Sequence, residues 1–192
     1  MSVTAYGQRH LFLAGFMGTG KSAVGRVLAA KLARQFYDLD DVVVAMTGRS
    51  ISATFRLEGE TAFRMHEAKA LRSIVGSAGA VIALGGGAPA TPLIADIMRR
   101  TGRTVLLTAG WPVIWRRIKD DSSRPLVGSV TGSSAADSPE RFERFVMHAD
   151  LILQSRLALF NSIADHVIDT SELSCDEVAS RLAAWWQVPT GQ

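Results

Sequence analysis

Cysteine is nearly missing from this chain. Cys175 stands alone among 192 residues, so no intrachain disulfide can close, and a disulfide-built scaffold is excluded. Beside a predicted helix start, Cys175 reads as structural rather than reactive. Long apolar runs are also missing: no segment is long enough to span a membrane. The apolar run near the N-terminus, Leu11 to Phe16, leads straight into a glycine-rich loop, so no secretory leader is expected. Charge is not concentrated in one sign, since 21 Lys and Arg stand against 18 Asp and Glu, a net of +3. The sequence pI of about 9.4 comes from scattered arginines. No basic run has the density that nucleic-acid binding needs. What remains, 47% hydrophobic and 20% charged, is ordinary for a soluble globular protein, and the length fits one domain, residues 1–192, with a sizeable core.

What is present begins with Gly15-Phe16-Met17-Gly18-Thr19-Gly20-Lys21-Ser22, which fits G-x-x-x-x-G-K-[ST]. It follows the apolar run Leu11–Ala14 and precedes a helical pattern from about Ala23, the strand–loop–helix setting the motif requires. Glycines let the backbone wrap a polyphosphate with N–H groups turned inward, and the following helix adds its positive end. Gly18, Thr19, Gly20, Lys21, Ser22 and Ala23 are therefore the candidate nucleotide contacts. Lys21 is assigned to the β- and γ-phosphates and Ser22 to Mg²⁺. A nucleoside triphosphate is the implied ligand, and the need for ATP together with the sparse cysteine points to the cytoplasm.

Short strands are expected at His10–Ala14, Gln35–Leu39, Ala80–Leu84, Thr104–Leu107 and His166–Ile168, with helical patterns between them. Such alternation predicts an α/β fold with a parallel sheet covered on both faces. Helices are expected at Ser22–Ala33, at Ser52–Val75 with a break near Gly59, at Pro92–Arg100 and at Pro112–Lys119. One more starts after Ser138, with Pro139 at its first position. The last starts at Ser174, where Ser174 and Glu177 make a capping-box pair. In that last helix Val178, Leu182 and Trp185 recur at core spacing, and the Trp185-Trp186 pair reads as packing. Residues Asp120 to Asp137, rich in Ser, Gly and Ala around Arg124-Pro125-Leu126, read as a disordered loop or a mobile lid.

Asp38-Leu39-Asp40-Asp41 ends the second strand, and strand alternation would aim Asp38 and Asp40 the same way. The third strand ends in Gly85 and supplies no acid, so Asp38 is the candidate to hold the metal through its water shell. Asp40 could accept from a substrate hydroxyl and act as its base. Helix capping is the competing explanation for these acids, most strongly for Asp41. Gly85-Gly86-Gly87 could bring backbone N–H groups close to an anion, or form a plain turn. Arg64 and Glu67, three apart on a predicted helix, are either an exposed ion pair or an arginine fork held by Glu67 for an anion. Phe55 and Phe63 could wall a pocket or pack the core. Arg116, Arg117, Arg124 and Arg156 each fit a surface or a site.

In this order the segments GFMGTGKS, DLD at 38–40, GRSI at 48–51, Phe55, GE at 59–60, FR at 63–64, GGG at 85–87, RPL at 124–126 and HVIDTS resemble the shikimate kinase family, from about Leu11 to Asp169. That family lies within the P-loop nucleoside monophosphate kinase-like superfamily. The resemblance implies a three-layer fold with a five-stranded parallel sheet, substrate-binding helices at about 41–76 and a lid at about 119–138. It implies transfer of the ATP γ-phosphoryl group to the 3-hydroxyl of shikimate, with Mg²⁺, in aromatic amino-acid biosynthesis. It implies a monomer whose partners are ATP and shikimate, not nucleic acid or membrane. Carried over position by position, it makes Lys21, Asp40 and Arg124 catalytic. Arg117 would stack on adenine, and the lid's Arg124 would reach the transferring phosphate. Asp40, Arg64, Gly86, Gly87 and Arg156 would bind substrate, with both arginines on its carboxylate. Ser22 and, through water, Asp38 would hold the metal. The chain departs from the family around Arg156, where Ala158 and Phe160 stand for the usual Pro and Tyr.

Two other functions remain open on the residues alone. One is a kinase for another small hydroxylated molecule; two arginines aimed at one carboxylate favour a compact acid over a neutral sugar. The other is a nucleotide-binding switch, which would bind ATP without turnover when shikimate is added.

Overall fold

The computed structural model describes residues 9–121, 126–127 and 138–188. Its centre is β1 (His10–Gly15), in which every residue is buried. A strand covered on both faces must be apolar throughout, and its side chains divide by alternation. Leu11 and Leu13 face one core with Val81, Val105 and Leu107. Phe12 and Ala14 face the other with Ile82, Leu84 and Leu106.

The remaining strands are β2 (Phe36–Asp38), β3 (Val81–Ala83), β4 (Gly102–Thr108) and β5 (His166–Asp169). They lie in the order β2-β3-β1-β4-β5, all paired parallel. Leu13 is in register with Ala83 on one side and Val105 on the other. Because β1 sits between β3 and β4, the chain leaves the middle of the sheet toward both edges, and the crevice at the strands' carboxyl ends opens there.

Helices α1 (Lys21–Lys31) and α7 (Cys175–Gln187) cover the first face. They contribute Val24, Leu28, Val178, Leu182 and Trp186 to its core. On the second face lie α2 (Leu39–Thr47), α3 (Ile51–Val75), α4 (Pro92–Thr101) and α6 (Pro139–Ile163). Among their contributions are Val43, Leu71, Ile94, Met98 and Phe160. Helix α5 (Trp111–Ile118) joins a third cluster past the end of β1, where Phe16, Ile114, Trp115, Ile118, Val127 and Phe145 meet. The three-layer reading of the sequence is thus met, strand by strand, with boundaries shifted by one or two residues.

Helix starts follow their capping chemistry. The Ser138 side chain accepts from the Arg141 N–H, with Pro139 in the first turn of α6. Ser174 and Glu177 form the full capping box of α7. Helix α3 is interrupted at Gly59, whose φ of 81° and ψ of 173° lie in a region open essentially to glycine alone.

Two sequence expectations are corrected. Leu39 and Asp40 belong to α2 rather than to a strand, because Asp38 ends β2 and caps the helix, its Oδ1 accepting from the Asp40 N–H. Strand alternation therefore does not govern where Asp40 points. In α7, Trp186 rather than Trp185 fills the core; Trp185 is half-buried and stacks on His166, ring centroids 4.9 Å apart. Cys175, at the start of α7, is exposed.

Candidate active site

The glycine loop closes on itself. Gly18 and Gly20 take positive φ, and Lys21 Nζ donates to the carbonyls of Gly15 at 2.9 Å and Phe16 at 3.0 Å. The ammonium is thereby held over the loop at the start of α1. A cleft of about 470 Å³ opens beside it, lined by Gly18, Thr19, Gly20, Lys21, Ser22 and Ala23 on one wall and Arg117 on another. Exposed Cys175 is also at its edge. All six nucleotide candidates of the loop therefore share one cavity with Arg117.

Arg117 is held in place by the loop. Its Nη1 donates to Gly18 O at 3.2 Å and to Thr170 Oγ1 at 3.1 Å, and its Nη2 to Thr170 O at 2.7 Å. Thr170 was quoted in the HVIDTS run, but no composition or spacing signal marks that hydroxyl as a junction. Arg116 is exposed and Arg124 lies outside the described residues, as does most of the segment read as a lid.

Ser22 Oγ donates to Asp38 Oδ2 at 2.5 Å. One carboxylate thus serves two purposes, capping α2 with one oxygen and taking the Ser22 hydroxyl with the other. Among the described residues no group of three or more His, Cys, Asp or Glu gathers as a metal cage. A hydroxyl and a carboxylate beside a phosphate-binding loop nonetheless fit Mg²⁺, a hard cation that keeps several waters and takes few protein ligands.

Next to the loop, the glycine triplet after β3 is a point of convergence. A Cβ on Gly85 would lie 2.8 Å from both Asp40 Oδ1 and Glu67 Oε1, and one on Gly87 would lie 2.5 Å from Arg64 Nη2. Gly86 accepts from Arg156 Nη1 at 3.1 Å through its carbonyl. The triplet is small because three elements press charged side chains against it: Asp40 from α2, Arg64 and Glu67 from α3, Arg156 from α6. Every described substrate candidate of the sequence is therefore brought together, with Arg156 in place despite its altered neighbours.

Electrostatics reinforce this geometry. Glu67 is fully buried, and its Oε2 accepts from Arg64 Nη1 at 2.7 Å. Among the described residues its Oε1 has no hydrogen-bond partner. Burial pushes its carboxyl up to about 7, against the pull of Arg64 and with help from Asp40. The Asp40 carboxyl is raised as well, first by burial and then by Asp38. Arg64 also meets Glu60 at 2.9 Å, a partner the sequence reading missed. Burial works against the Arg64 charge, but the bonds to Glu67 and Glu60 outweigh it and hold its pKa above the usual arginine value. Arg156 is lowered, by burial and then by Arg64, so the two guanidiniums feel each other. Two guanidiniums this close in one half-buried spot raise the local positive potential, which Glu67 and Glu60 offset on the Arg64 side. Phe55 and Phe63, 4.4 Å apart, lie against Arg64 and pack the second-face core, Phe63 buried and Phe55 half-buried.

Comparison with known proteins gives the family. The family model described as Shikimate kinase matches residues 17–187. A shikimate kinase of Geobacter sulfurreducens is 40% identical over 96% of this chain and 94% of its own. One of Syntrophus aciditrophicus is 36% identical over 97% and 95%. Among solved structures, shikimate kinase from Acinetobacter baumannii in complex with shikimate superimposes with a TM-score of 0.79 at 27% identity, covering 95% of both chains. That from Aquifex aeolicus gives 0.69 at 28% identity, over 91% of this chain and 94% of the other.

Proposed function

The chain belongs to the shikimate kinase family, and on that premise we propose that its residues move the γ-phosphoryl group of ATP to the 3-hydroxyl of shikimate, giving 3-phosphoshikimate. The observation that carries the proposal is the meeting of Arg64, Arg156 and Asp40 at Gly85–Gly87, beside the loop that holds Lys21. Phosphoryl transfer asks the protein for in-line positioning and charge neutralisation more than for covalent chemistry.

Gly18 to Ala23 cradle the triphosphate, and Lys21 moves from its own loop carbonyls to the β- and γ-oxygens. Arg117 offers its flat face to adenine. Arg64 and Arg156 grip the substrate carboxylate from two helices, and that grip decides which hydroxyl faces the nucleotide. Asp40 accepts from that hydroxyl and takes its proton as the bond to phosphorus forms. Arg124, from the lid segment, reaches the phosphoryl group in transit. Mg²⁺, held by Ser22 and through water by Asp38, supplies charge neutralisation on the phosphates when bound. Lid closure keeps water from competing with the substrate hydroxyl.

The first test is turnover of ATP–Mg²⁺ with and without shikimate, with the phosphorylated product identified. ADP release that depends on shikimate, yields 3-phosphoshikimate and stops with EDTA is the expected result. Protein that binds ATP but is indifferent to shikimate overturns the proposal.

A further inference from the structure

Arg117 alone does not explain its own orientation. Its Nη1 and Nη2 are bonded to Gly18 O, Thr170 Oγ1 and Thr170 O, so its edge is turned toward the protein and a face is left for the cleft. Two of those three acceptors belong to Thr170, just past the end of β5, whose side chain is 2% exposed. The Thr170 hydroxyl also lies 3.0 Å from Thr19 O in the glycine loop and 3.0 Å from Thr108 O at the end of β4. Its backbone N–H donates to the same Thr108 carbonyl at 2.9 Å. One buried hydroxyl, with its single proton shared between the phosphate loop's Thr19 carbonyl and the Thr108 carbonyl at the end of β4, therefore accepts from Arg117 at the junction of loop and strand ends.

We propose that Thr170 is the positioning residue of the nucleotide half-site, setting the Arg117 guanidinium as a shelf for the base in fixed register with the phosphate loop. The inference rests on the reading of Arg117 as the adenine contact. The chemistry needs a hydroxyl specifically. Only a group that both donates and accepts can receive Arg117 Nη1 while bonding to a loop carbonyl. Valine keeps the shape and loses both. Among the described residues the hydrogen bonds of Thr170 run to Arg117, Thr19 and Thr108 and not to the Arg64–Arg156 side of the crevice, so its influence falls on the nucleotide half.

Steady-state kinetics of Thr170→Val, Thr170→Ser, Arg117→Ala and the double variant Thr170→Val/Arg117→Ala test this, with thermal melts as a check on folding. In Thr170→Val the KM for ATP rises about fivefold, the effect of losing a hydrogen bond of ordinary strength, while the KM for shikimate holds. Thr170→Ser, which keeps the hydroxyl, recovers most of the ATP affinity. The double variant is no worse for ATP than Arg117→Ala, because Thr170 acts through Arg117. An unchanged ATP KM in Thr170→Val beside a raised one in Arg117→Ala overturns the positioning role. So does a loss shared equally by both substrates, which marks a purely structural residue, or failure of serine to rescue. An unchanged ATP KM in Arg117→Ala overturns the shelf reading itself, and this inference with it.

Discussion

Glu67 is the residue whose environment differs most from what its sequence position announces. An i,i+3 partner of Arg64 on a helix is ordinarily a surface pair contributing a few tenths of a kcal/mol. Here the carboxylate is fully buried and its pKa is raised from 4.5 to about 7 by burial. The folded state therefore holds a proton that the unfolded chain has given up between those values. Stability falls as pH rises from about 4.5 through about 7, by about 3 kcal/mol at the most. Denaturant melts between pH 5 and 8 should show this slope in the wild-type protein and a shallower one in Glu67→Gln, with Asp40, shifted the same way by burial, leaving a remainder. Activity separates the two faces of the substrate site. Arg64→Ala should raise the KM for shikimate by about 10- to 100-fold with the KM for ATP little changed, since it removes a charged hydrogen bond to one substrate only. Asp40→Asn should act on kcat, by about 10²- to 10⁴-fold.

Helix α3 carries Arg64 and Glu67, and its kink at Gly59 sets where they point. Gly59 divides the helix into Ile51–Glu58 and Glu60–Val75, and the second part holds Arg64 and Glu67. A Cβ at Gly59 meets nothing within 4 Å, so the cost of a side chain there is purely conformational. Gly59→Ala should lower stability by about 1–3 kcal/mol, read by thermal or urea melts, although alanine is the better helix former. The outcome that contradicts this is a more stable variant, meaning that α3 straightens at no cost. The same element shows where sequence reading stops. A break near Gly59 was legible from glycine within a helical pattern, whereas the first residues of α2 were read as the end of a strand. Asp38 carried the signal for a helix start, but capping and metal holding both wanted that carboxylate; in the structure one oxygen caps α2 and the other takes the Ser22 hydroxyl.

At the scale of the whole molecule, two half-sites share the carboxyl edge of one sheet. The half proposed for the nucleotide is built from β1, α1, α5 and the end of β5, the half proposed for the substrate from α2, α3, α6 and the end of β3. A ligand that binds only the folded state stabilises it by mass action, about 2.7 kcal/mol at one hundred times its Kd. A non-hydrolysable ATP analogue with Mg²⁺ should therefore raise Tm in proportion to its saturation, and Lys21→Ala should abolish most of that rise. An equal rise in the variant overturns the assignment of the phosphate loop.

The sequence by itself determined what is local. The phosphate loop is contiguous, strands are short apolar runs, and caps lie within three residues of what they cap, so Gly15–Ser22, the five strands and the Ser174–Glu177 box could be read in order along the chain. The carboxylate clamp could be named from a family pattern, but only tertiary structure decided that Arg64, Glu67, Asp40 and Arg156, spread over more than a hundred residues, press on three consecutive glycines. Burial was beyond the sequence for the same reason. The shift of Glu67, the orientation of Arg117 and the junction at Thr170 depend on which distant groups surround a side chain, and parallel strand order supplies those neighbours.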